Sequence, residues 1–111
     1  MSKGLSMITE EMAEKANDFI RDFAEKFAHA KAERVYLEEF KKSKKAMLFA
    51  KKNGTVAERE NFAFAHPEYL KLIESIRIAV EREETIRYQI EAAKLKIDMY
   101  RTQESSRRGG F

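Results

Sequence analysis

Two histidines, a cluster of three glutamates and a run of six lysines are the side chains whose type and spacing could do chemistry in this sequence. His29 and His66 each lack a second ligand at metal-binding spacing, and no cysteine is present to supply a thiolate. His66 precedes the single proline, where a turn or helix-capping role is expected in place of a catalytic base. Glu81, Glu83 and Glu84 are interspersed with Arg77, Arg82 and Arg87 at helical i, i+3 and i, i+4 separations. That pattern predicts a salt-bridged surface and no catalytic carboxylate pair. A glycine-rich phosphate loop is missing, because Gly54 stands alone, and so is the Glu-x-x-His motif of di-iron bundles. The expectation is therefore a protein that is not an enzyme and that carries no cofactor and no metal.

The lysines are more informative. Between Phe40 and Gly54 stand Lys41, Lys42, Lys44, Lys45, Lys51 and Lys52, with no acid among them. Residues 31–54 hold eight basic and three acidic side chains, against four and six in residues 1–30 and eight and ten in residues 55–106. The formal net charge of +3 thus conceals a local excess of cations. Phe40 and Phe49 are interleaved with the lysines and could offer ring faces to unstacked bases. A lysine track with aromatic neighbours suits single-stranded DNA, since phosphate neutralisation releases counterions and stacking adds about 1–3 kcal/mol per base. Competing readings of the same run are a solvated helix face whose last-turn lysines meet the helix dipole, and a contact for an acidic protein.

The elements that must position these residues are helices. Of 111 residues only four are glycine and one is proline, which excludes a sandwich punctuated by frequent turns. The breakers are Gly4, Asn53-Gly54, His66-Pro67 and Gly109-Gly110. Apolar residues at Ile8, Met12, Ala16, Phe19, Phe23, Phe27 and Ala30, resuming at Leu37, Phe40, Met47 and Leu48, follow steps of three and four. Thr55-Val-Ala-Glu58 has the form of a capping box. Beyond Pro67, the face runs through Tyr69, Ile73, Ile76, Val80, Glu83, Ile86, Ile90, Ala93, Ile97 and Tyr100, and its Val80-Glu83-Ile86 steps suggest a local change of supercoil.

The expected fold is all-α: a long antiparallel helical hairpin with a short connecting helix, its helices covering roughly residues 9–52, 56–65 and 67–106. Residues 9–106 form the single domain of this reading, between a flexible N-terminus (1–8) and a flexible basic tail (107–111). Each long helix would extend about 60 Å. Two such rods leave apolar side chains over, so a homo-oligomeric bundle is expected, with Phe19, Phe23, Phe27, Tyr36 and Phe40 at the interface. No apolar run is long enough to span a membrane, and the first residues lack the pattern of a secretory signal, so a cytoplasmic location is expected.

Lys45-Ala46-Met47-Leu48 followed by Asn53-Gly54, a connector and a long helix ending in Ile97-Asp98-Met99 resembles the phage UvsY-type recombination mediators. Their hairpin carries a Lys-Ala-Arg-Leu element shortly before a glycine turn. Lys45, Ala46 and Leu48 match it, Met47 replaces the arginine, and Phe49-Ala50 stand where the family has Asp-Tyr. The resemblance covers roughly residues 35–105. It implies an oligomeric protein that binds single-stranded DNA and helps load a RecA-like recombinase onto strands covered by single-strand-binding protein, in the host cytoplasm if phage-encoded. Lys44, Lys51 and Lys52 would restore the charge lost at Met47. The expected function is accordingly that of a DNA-recombination accessory protein. The alternative is a helical adaptor or secretion/assembly chaperone, gripping a partner helix with the Phe19–Phe27 cluster and the Tyr36–Phe40 face.

Overall fold

Residues 7–109 are described by the computed structural model, and among them the fold is all-α with no strand. Three helices follow one another: α1 (Glu10–Lys51), α2 (Val56–Ala65) and α3 (Pro67–Gly109). Helix α3 continues through residues 107–109, which the sequence reading assigns to a tail; residues 1–6 and 110–111, also assigned to the termini, lie outside the described residues.

Each boundary has a local cause. The Thr9 hydroxyl accepts from the Met12 amide at 3.1 Å, and Glu10 and Glu11 place negative charge at the positive end of the α1 dipole. At the other end Gly54 adopts φ +129°, a conformation that L side chains rarely enter, and so stops the helix. The expected capping box is formed. Thr55 Oγ1 accepts from the Glu58 amide at 3.1 Å, and Glu58 Oε1 accepts from the Thr55 amide at 2.8 Å. His66 then serves both sides of a helix junction: its amide donates to the Ala63 carbonyl, while its Nδ1 accepts from the Glu68 amide at 3.1 Å.

The described residues divide into two compact units where the sequence reading has one hairpin domain: residues 28–84, and residues 7–27 together with 85–109. In the 28–84 unit, α1 and α3 run antiparallel, with Arg34 facing Glu83 and Lys44 facing Glu68. Leu48, Ala63 and Tyr69, one residue from each helix, form its tightest core, with Phe62 packed against them. Leu48 is 1% exposed, and burying a leucine this completely contributes about 1.5–3 kcal/mol. In the other unit the helices are again antiparallel. The Gln103 side chain donates to the Ile8 carbonyl and accepts from the Ile8 amide, at 2.8 and 2.9 Å.

The buried seam differs from the expected one. On α3 it passes through Tyr69, Leu72, Ile76, Ala79, Glu83, Ile86, Ile90, Ala93, Ile97 and Tyr100, alternating steps of three and four without interruption. Ile73 and Val80 are exposed, and Leu72 and Ala79 take their places. On α1 the seam follows Ala13, Ala16, Ile20, Phe23, Phe27, Ala30, Arg34, Leu37, Lys41, Lys44 and Leu48. Met12 and Met47 are on the solvent side. An apolar count drifts off this line because Arg34, Lys41 and Lys44 are members of it. Glu83, which the sequence places both on this face and in a surface ion cluster, is buried on the face, and both its oxygens accept from Arg34. Arg34 also donates to Glu38 at 2.8 Å.

Candidate nucleic-acid interface

The lysine run occupies the last three turns of α1, and the Leu48–Ala63–Tyr69 core holds α2 and the start of α3 against it. This packing brings three groups to the lysines that are remote in sequence: Arg59 and the aromatic rings of α2, and the carboxylate of Glu68. Between Lys41 and Lys71 the bend carries eight basic and three acidic side chains. The acids are Glu58, Glu60 and Glu68.

The six lysines are not equivalent. Lys44 is largely covered, and its Nζ lies 2.8 Å from Glu68 Oε1, a pairing that holds the Glu68 carboxyl below the usual glutamate range. Lys41 is half-buried on the seam. Lys42 is exposed and pairs with Glu39 on the same helix at 3.2 Å; at such exposure the pair is weak and readily exchanged. Lys51 and Lys52 are exposed at the end of α1, and Lys45 is half-buried.

The rings are met by cations. Lys45 Nζ sits 4.3 Å from the Phe64 centroid, and Lys52 Nζ 6.0 Å from that of Phe62. The Arg59 guanidinium lies 4.1 Å from the Phe49 centroid while its Nε donates to the Phe49 carbonyl at 3.1 Å. That contact also supplies positive charge at the negative end of the α1 dipole. Phe49 therefore presents a covered face, whereas Phe40 stacks parallel on exposed Tyr36 with centroids 6.1 Å apart and has Lys44 at 5.9 Å. Sequence reasoning missed Arg59, Phe62, Phe64 and Lys71. The capping box was the signal available for Arg59, since it fixes α2 to begin one residue after Thr55 and so sets Arg59 in its first turn.

Of the expected interface residues, Phe23 and Phe27 belong to the buried seam of the chain itself. Phe19 stacks on Phe23 at 4.1 Å and lines a shallow groove of about 380 Å³ with Met12, Lys15, Gln89, Ala92 and Lys96. Among the described residues, no group of three or more His, Asp or Glu side chains could hold a metal ion. No helix among them is long and apolar enough to cross a membrane. No protein-family model, no curated protein and no solved structure matches this chain.

Proposed function

We propose that this protein is a non-enzymatic DNA-recombination accessory protein that holds single-stranded DNA on the bend formed by the end of α1, α2 and the start of α3. The observation that carries the reading is the imbalance of charge there: eight cations against three acids, with Glu68 taken up by Lys44 and Glu58 by the capping box. Lys42, Lys45, Lys51, Lys52 and Arg59 contact phosphates, and Lys44 positions the bend through Glu68. Stacking belongs to the Tyr36–Phe40 pair, because Arg59 covers Phe49. Loading of a RecA-like recombinase onto strands covered by single-strand-binding protein is the activity such a holder would assist.

Fluorescence anisotropy with a single-stranded 30-mer at two salt concentrations tests it. Replacing Lys42, Lys45, Lys51 and Lys52 together by alanine is expected to weaken binding and to reduce the salt slope by roughly 0.7 for each phosphate no longer neutralised. Helicity should be retained, since three of the four side chains are exposed. Binding with an unchanged slope would remove these lysines from the interface. The adaptor reading is favoured by one observation, the 62% exposure of Tyr36 beside Phe40. It predicts association with a protein and no oligonucleotide affinity at about 0.15 M salt.

A further inference from the structure

A second apolar stripe runs along α3 on the face roughly opposite its buried seam. Thr85, Tyr88, Ala92, Leu95, Met99 and Thr102 follow alternating steps of three and four, the spacing that presents a continuous edge to another helix. All six are exposed within the chain, Tyr88 at 62%, Leu95 at 61% and Met99 at 49%. The water-facing side of an amphipathic helix is ordinarily polar, so large side chains at coiled-coil spacing there call for a covering surface.

The charges beside the stripe identify that surface. One flank carries Glu84, Glu91 and Asp98 at seven-residue intervals, and the other carries Gln89, Lys96 and Gln103. These are the g and e positions of a coiled coil whose core is the stripe. In a parallel pair of helices, the g residue of one faces the e residue of the next heptad of the other. Two copies of this chain side by side would therefore set Glu91 of each against Lys96 of the other, and Glu84 and Asp98 against neutral amides. An antiparallel pair that aligns the stripe with itself would set Glu91 of each against Asp98 of the other, which is repulsive, and Lys96 against the neutral Gln89. The groove lined by Phe19, Gln89, Ala92 and Lys96 follows the basic flank and widens the apolar surface on that side.

We propose that a second copy of this chain packs in parallel on the Thr85–Thr102 stripe of α3, so that the protein self-associates through α3 and not through Phe23 and Phe27. This stands apart from the DNA reading, since it uses none of the lysines of the bend.

Sedimentation equilibrium of the full chain at micromolar concentration tests it. The wild-type chain is expected to associate, and Leu95→Glu to weaken association roughly tenfold or more by placing a charge in the new seam. Glu91→Lys should weaken it as well, and Glu91→Lys combined with Lys96→Glu should restore it. Orientation is read by Thr102→Cys, which introduces a single thiol into a chain that has none. Parallel pairing brings the two sulfurs within reach and gives a disulfide-linked dimer on oxidation, whereas antiparallel pairing separates them by roughly 25 Å, beyond the reach of about 7 Å between Cα atoms. A monomer at all concentrations, association insensitive to Leu95→Glu and to the charge reversals, or a Thr102→Cys dimer that does not cross-link on oxidation would each overturn the proposal. If Leu95→Glu loses helicity by circular dichroism, the Glu91 and Lys96 exchange at exposed positions decides the matter.

Discussion

Inside the seam of residues 28–84, one guanidinium and one carboxylate meet where apolar side chains would otherwise interlock. Sliding α3 by one heptad in either direction would set Arg34 against Ile76 or Ile90 and break its hydrogen bonds to Glu83, leaving Arg34 only the Glu38 contact on its own helix. The pair thus fixes which turns face each other. Arg34→Leu is expected to lose about 1–3 kcal/mol by leaving the Glu83 carboxylate buried and unpartnered. Arg34→Leu with Glu83→Leu should recover most of it, because two apolar side chains can fill the same space. Urea titrations of the three chains measure the difference. The hydrogen bonds from Arg34, its attraction to the carboxylate adding to them, hold Glu83 below its ordinary range, so the folded-state pKa lies under the unfolded one. The resulting stabilisation is complete above the unfolded value of about 4.3 and is lost as pH falls through the folded value. Thermal melts of Glu83→Gln should accordingly lack part of the acid decline of the wild type.

The connecting helix depends on a few local contacts. A Cβ added at Gly54 would lie 2.8 Å from Glu58 Oε1, so Gly54→Ala both strains a positive φ and pushes out the carboxylate of the capping box. Thr55→Ala removes only the hydroxyl and should cost about 1 kcal/mol of stability. Gly54→Ala is expected to exceed it, as read by chemical denaturation. Local signals of this kind made the elements legible in the sequence: Asn53-Gly54, Thr55 with Glu58, and His66-Pro67 locate the breaks through steric and hydrogen-bonding rules that act within a few residues. The seam was less legible because membership depends on the facing helix. Arg34, Lys41 and Lys44 read as surface residues until their partners across the pair are in place, and Ile73 reads as core although Leu72 is buried. The same division holds for the site: the lysines were visible as a run, but pairing of Lys44 with Glu68 and covering of Phe49 by Arg59 come from elements later in the chain.

Across the whole molecule the two units differ in how far apart in sequence their partners stand. The 28–84 unit is one continuous segment, closed by contacts such as Lys44–Glu68 and Arg34–Glu83, whose separations are 24 and 49 residues. The other unit joins stretches from both sides of that segment, and its Ile8–Gln103 contact spans 95 residues. Forming contacts between remote residues requires greater loss of chain entropy, so the expected order of assembly is that the bend forms first and the stretches on either side of it pair afterwards. The two hydrogen bonds that Gln103 makes to the Ile8 backbone then belong to the descent from the transition state toward the native state. Gln103→Ala should leave the refolding rate unchanged and accelerate unfolding, while Leu48→Ala, at the bend, should slow refolding. Stopped-flow chevrons would separate the two, and slowed refolding of the Gln103 variant would reverse the order. The amide clasp of Gln103 is in this sense a latch on the exit from the native state, governing how long the native pairing of the chain's distant ends persists once made.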